Sequence, residues 1–406
     1  MYLCVKPNSQ NTIQKSNSAN MSPKISLPCL KFSPFLLFLL FFQTVSSQKS
    51  FTAVDDWMQN NLKEIGGRAV LMVWKDGKVA YSNQLNEMSG KQKMIGKFIA
   101  KRKGRDPKEA IQDFTTTTHE RIASCSKWLS AALVMTFVDE GKLSLDDTVG
   151  KYLPVMTANG KGNIKIWQCL SHLTGIQSGS LRESIENMSK TQSMDEAINM
   201  IASLPIEGEP GKTFHYSNAG LQIAAAVIEK IGVKDFETLF AERIAKPLGL
   251  LNTDFGKKNV PLAAGGAWST PEDYLKFLQM ILNEGNYNGK EILSKTSVIA
   301  MQKNYVASDA TIAYTPAEAG NWGYGFGEWV MDLTPSLSKS GEGEIPDSQR
   351  SNAVTSPGLF GTFPWVDNEK KYCAILFTMN IKSKGRSERY KELKKLVDEA
   401  LTSAYE

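Results

Sequence analysis

Ser124-Cys125-Ser126-Lys127-Trp128-Leu129-Ser130-Ala131-Ala132-Leu133-Val134-Met135-Thr136-Phe137-Val138-Asp139-Glu140-Gly141 is apolar on nearly every side from Trp128 onward and stops at a glycine. A helix laid on a surface shows a polar face, so this one is expected to be buried in a core. Towards the N-terminus, residues 71–81 set Asp76-Gly77 between two apolar runs, a strong hairpin signal. Towards the C-terminus, residues 358–366, an Asp367-Asn368 turn and residues 372–377 read as a second hairpin, and residues 386–404 as an amphipathic closing helix. Between the hairpins, residues 194–204, 218–231 and 271–283 carry helical periodicity. The expected fold class is α/β in the α+β sense. Both chain ends, residues 48–115 and 350–406, build one antiparallel sheet flanked by helices, and a mainly helical lobe is inserted at about 126–340.

A composition of 42% hydrophobic and 22% charged residues with a net charge of +5 excludes disordered, collagenous and coiled-coil classes. Lys24 and Lys31 precede the apolar run 35–42, and small and polar residues 44–48 follow it. That order predicts a signal peptide over residues 1–47, hence a secreted or periplasmic protein. The run is short of the ~20 apolar residues that span a bilayer, so no membrane span is expected after cleavage. Beyond residue 47 only Cys125, Cys169 and Cys373 remain, too few and too scattered for a disulfide framework or a zinc site. No metal or other cofactor is expected. Between Lys91 and Lys108 lie Lys93, Lys97, Lys101, Arg102, Lys103 and Arg105 around one aromatic, Phe98. A solvated surface insertion is the preferred reading of that stretch over a nucleic-acid or anionic-surface role.

Several catalytic sites are excluded by reading. There is no Gly-x-Ser-x-Gly elbow, Gly211-Lys212-Thr213 lacks the glycine of a phosphate loop, and His119-Glu120 lacks a second histidine. Three histidines leave few ways to assemble a Ser-His-Asp triad. What remains is a serine activated by an amine. Ser124 and Lys127 stand three apart, on one face at the start of the buried helix. Burial should lower the lysine pKa, so that it can accept the serine proton. Two other Ser-x-x-Lys spacings, Ser46 to Lys49 and Ser336 to Lys339, open no apolar helix. Tyr216-Ser217-Asn218 follows the turn Glu209-Pro210-Gly211 and adds a phenol for proton transfer and an amide for a substrate carbonyl. Its decoy, Tyr81-Ser82-Asn83, reads as a strand end.

Ser124-x-x-Lys127 followed by Tyr216-x-Asn218 resembles the serine β-lactamase and penicillin-binding-protein superfamily, above all the class C β-lactamases and related esterases. Segments 170–175, 247–250 and 265–273 look like family segments, and the resemblance covers roughly residues 52–404. It implies Ser124 as the acylated nucleophile, Lys127 as its base or electrostatic partner, Tyr216 as general acid/base and Asn218 as a substrate contact. It also implies an oxyanion hole from the N–H of Ser124 and one near Leu359. Where the family has Lys-Thr-Gly, the candidate is Ser356-Pro357-Gly358, which keeps the glycine but not the cation. Arg350 is a possible replacement charge. Without it, neutral esters or amides fit better than a carboxylate-bearing β-lactam or D-Ala-D-Ala peptide. A small-molecule ester, amide or peptide is the expected partner, with no nucleic acid. The alternatives are β-lactamase or D-Ala-D-Ala carboxypeptidase activity, and a catalytically weak peptide-binding or regulatory protein of the same fold.

Overall fold

The computed structural model describes residues 51–102, 104–256, 258–331, 350–382 and 384–403. The described residues all fall within one compact unit, Gln48–Glu406. The expected signal peptide and both Ser-x-x-Lys decoys lie outside the described residues.

After α1 (Thr52–Asn61), strands β1 (Arg68–Lys75) and β2 (Lys78–Asn86) form the first hairpin, and α2 (Gly90–Arg102) follows. Asp76 and Gly77 both take positive φ, 52° and 80°. Such a turn matches the right-handed twist of its flanking strands. The described helical region contains α3 (Ser126–Asp139), α4 (Ala219–Gly232) and α5 (Pro271–Leu282). The chain then returns to the sheet through β3 (Gly323–Tyr324), β4 (Trp329–Val330), β5 (Ala353–Thr355), β6 (Phe363–Asp367) and β7 (Tyr372–Thr378), and ends in α6 (Arg386–Ser403). One antiparallel sheet of seven strands results, in the order β2-β1-β7-β6-β5-β4-β3.

Period-two alternation divides the central strands between two cores. Ala69, Leu71, Val73, Tyr372, Ala374 and Leu376 face α1 and α6, packing with Trp57, Tyr390 and Leu393. Val70, Met72, Cys373, Ile375 and Phe377 face the helical region and join the core of α3, α4 and α5. Both faces are covered, which is why these strands read as continuous apolar runs. Residues 126–137 of α3 are all buried, as its all-round apolarity requires. Each fully buried Leu or Phe in such a core contributes roughly 1.5–3 kcal/mol.

Two expectations are corrected. The sheet recruits β3 and β4 from residues assigned to the helical lobe, because two-residue strands carry no readable alternation. The second hairpin begins at Phe363 rather than at residue 358. Gly358 N–H bonds Thr362 O at 2.8 Å, so residues 358–362 close a tight loop between β5 and β6.

Candidate active site

The site forms where three elements meet: the start of α3, the turn into α4, and the end of β5. Ala123, just before Ser124, has φ 47°. A non-glycine residue in the left-handed region is held there by its surroundings, and the next residue, Ser124, lines the cleft. Gly358 presses against this turn from the sheet side. A Cβ there would lie 2.4 Å from Ile122 O and 3.2 Å from Cys125 Sγ, so only glycine allows the end of β5 to approach the nucleophile turn.

Lys127 is fully buried, and its Nζ lies 3.3 Å from Ser124 Oγ, 3.3 Å from Asn218 Oδ1 and 2.7 Å from Ala264 O. Burial lowers its pKa from 10.5 to about 7, the Cys125 thiol opposing weakly. A neutral amine has two N–H groups and one lone pair. With the N–H groups donated to Ala264 O and Asn218 Oδ1, the lone pair is left for the serine proton. Segment 263–267 is tied along α3 by further bonds: Ser130 Oγ donates to Ala263 O at 2.6 Å, and Ala267 N–H donates to Ser126 Oγ at 3.0 Å.

Tyr216 adjoins both Ser124 and Lys127. The serine hydroxyl acts on the phenol as a hydrogen-bond partner, but burial outweighs this and raises the phenol pKa well above 10. The Lys127 ammonium position is 4.7 Å from the Tyr216 ring centroid, and Trp329 stacks on the ring at 5.1 Å. His172, at φ 60°, holds the phenol from behind. Its ring centroid is 4.7 Å from that of Tyr216, its Nδ1 accepts from Ser217 N–H at 3.5 Å, and its Nε2 lies 3.1 Å from Tyr324 Oη. Accepting at Nδ1 places the proton on Nε2. Burial pushes the His172 pKa well below its ordinary value, so this ring is neutral. The Asn218 amide lends its oxygen to Lys127 and one N–H to Ser184 Oγ at 3.2 Å, with the remaining N–H left for the cleft.

A cavity of about 340 Å³ opens on this cluster, walled by Ser124, Tyr216, Asn218, Ser184, Tyr314, Trp329, Gly358, Leu359, Ile381, Glu318 and Arg386 among others. Ser356 is not on that wall. Its hydroxyl bonds Gly327 O at 2.9 Å and Ser124 O at 3.2 Å, so it fastens β5 to the nucleophile turn instead of meeting substrate. Arg350 is also elsewhere, bound to Glu284, Gln302 and Asn368 at 2.5–2.8 Å, and supplies no charge to the cleft. The guanidinium on the cavity wall is that of Arg386, paired with Glu318 at 3.2 Å and donating to Leu359 O at 3.1 Å. Sequence reading missed Arg386, Glu318, Ser184 and Trp329. Arg386 opens α6 far along the chain, and no local spacing links it to Ser124.

The family model for Beta-lactamase matches residues 54–397. The chain belongs to the β-lactamase family. Among curated relatives, protein Rv1367c of Mycobacterium tuberculosis is 26% identical over 298 residues, which is 60% of this chain and 71% of that protein. Among solved structures, a β-lactamase candidate from Bacteroides dorei aligns with a TM-score of 0.70 at 26% identity, over 87% of this chain and 99% of that one. EstCE1, a hydrolase with promiscuous acyltransferase activity, shares the fold at a TM-score of 0.65 and 20% identity, over 89% and 100%. As a β-lactamase-family chain, the protein has a serine-hydrolase fold, and the Ser-x-x-Lys helix and Tyr-x-Asn turn open on one cleft.

Proposed function

We propose that this protein is an exported serine hydrolase that cleaves neutral esters or amides through an acyl-enzyme on Ser124. The observation that carries the reading is the Ser124 hydroxyl within reach of both a buried amine with pKa about 7 and a neutral phenol, on the wall of a cleft of about 340 Å³. A pure binding protein has no use for that set.

Ser124 Oγ attacks the acyl carbon while its proton passes to the Lys127 lone pair. The oxyanion that forms is met by the backbone N–H groups of Ser124 and Leu359. Losing one such donor typically costs ~10²–10³ in rate, which gives the Gly358 approach its importance. The leaving group departs with the Tyr216 proton, and the proton held at Lys127 restores the phenol. Water then attacks the acyl carbon and gives its proton to the same relay. The acid is released and Ser124 regenerated.

Neutral substrates are favoured by the charge of the wall. The only guanidinium on it, among the described residues, is matched by Glu318, and the rim is apolar, with Leu359 39%, Tyr314 46% and Ile381 71% exposed. A substrate carboxylate would displace Glu318 before reaching Arg386. The test is parallel assay of nitrocefin, a p-nitrophenyl ester series and a D-Ala-D-Ala peptide, with fluorophosphonate labelling. Ester turnover and labelling, both abolished in Ser124→Ala, are expected. Tight reversible binding without burst release of product would instead favour the peptide-binding alternative.

A further inference from the structure

Helix α2 departs from the usual burial pattern of a surface helix. Its inner face is made of its smallest residues: Ala100 is 4% exposed, and a Cβ at Gly96 would sit 3.3 Å from Ala110 O. Its larger apolar residues point away from the protein. Met94 and Phe98, four apart on one face, are each 66% exposed, with Ile95 and Ile99 beside them at 44% and 45%. A soluble surface helix normally has the reverse arrangement.

Basic side chains border this apolar stripe. Lys91, Lys93, Lys97, Lys101 and Arg102 are exposed and make no ion pair among the described residues. From Gly90 to Arg105 the sequence holds seven Lys and Arg and no Asp or Glu, so this segment alone exceeds the +5 of the whole chain. At the 3.6-residue period of the helix, Lys93, Lys97 and Lys101 run along one side of this stripe and Lys91 and Arg102 stand at its two ends, and an apolar crest bordered by long cations is what an interfacial helix requires. The crest enters the acyl boundary while the lysines reach lipid headgroups. Nucleic acid would satisfy the cations but leave Met94, Ile95, Phe98 and Ile99 in water.

The geometry points to α2 as a docking surface for an anionic phospholipid bilayer. The helix follows β2 at the end of the sheet where Arg68 pairs with Asn86 and Ala69 with Thr378, the end from which the chain runs on to the cleft residue Ile381. A protein held by α2 would therefore keep that end of the sheet near the membrane.

Sedimentation of the full chain with vesicles of phosphatidylcholine alone, and of phosphatidylcholine with phosphatidylglycerol, tests this. Binding is expected only to the anionic vesicles and should fall steeply with salt. Apparent affinity should drop on the order of tenfold or more in Met94→Gln/Phe98→Gln and in Lys97→Glu/Lys101→Glu, given the attraction each cation supplies at an anionic surface. Circular dichroism and catalytic turnover should stay unchanged in both, since all four residues are exposed and lie outside the cleft. Absence of vesicle binding, equal binding to both compositions, or anionic binding indifferent to Met94→Gln/Phe98→Gln overturns the assignment. So does tighter retention by duplex DNA that ignores the apolar pair, or a concentration-dependent dimer that the apolar pair dissolves.

Discussion

Lys127 Nζ donates to the backbone carbonyl of Ala264 at 2.7 Å, a contact between residues 137 positions apart that aims the amine at Ser124. With a pKa of about 7, the amine is largely protonated below neutrality and cannot accept the serine proton. Under this reading kcat for a p-nitrophenyl ester rises with pH through about 7. The Tyr216 pKa is raised by burial, so no falling limb should occur at the ordinary phenol value of 10.0. A bell with its descending side near that value would assign the phenolate, not the amine, as base.

The same burial makes Lys127 a stability liability with a defined pH window. Its folded pKa, about 7, lies below the ordinary 10.5, so between those values the unfolded chain binds the extra proton. The contribution of this group to stability therefore increases from pH 7 to 10.5 and is least favourable below 7. Lys127→Met should abolish turnover. Its Tm relative to the parent should be higher at acid than at alkaline pH. A pH-independent difference in thermal melts would place the amine outside the core.

Tyr216→Phe keeps the ring stacked on Trp329 and removes only the phenol oxygen. A loss of ~10²–10⁴ in kcat with little change in KM is expected, the usual worth of a positioned acid or base. Steady-state kinetics check it, and an unchanged kcat would remove Tyr216 from the proton path.

Gly358→Ala forces a Cβ to 2.4 Å from Ile122 O and must move β5 away from the nucleophile turn. Because the Leu359 N–H moves with it, kcat should fall by ~10² or more while the protein still binds substrate. Near-normal turnover in this variant would show that the loop does not form the oxyanion hole.

Glu318→Ala releases Arg386, which is 5% exposed and faces the cleft. Discrimination against acidic substrates should weaken. The ratio of kcat/KM for a p-nitrophenyl hemiester bearing a free carboxylate to that for its neutral analogue is expected to rise by roughly tenfold, about 1.4 kcal/mol. An unchanged ratio would mean that Arg386 serves only to hold Leu359 O, Asn380 O and Lys382 O.

The sequence by itself determined what local periodicity and spacing can carry. The all-round apolarity of residues 126–137 placed α3 in the core, Asp76-Gly77 set the first hairpin, and the three-residue step from Ser124 to Lys127 put hydroxyl and amine on one helix face. Only the tertiary structure decided what depends on chain-distant groups. It brought Tyr216 and Asn218 to that face, drew β3 and β4 into the sheet, turned Ser356 and Arg350 away from the cleft, and set Arg386 against Glu318. The division has a physical cause. Helix period and turn chemistry act over a few residues. The direction of a serine hydroxyl or a guanidinium is set by whichever carbonyl or carboxylate the packed chain places beside it.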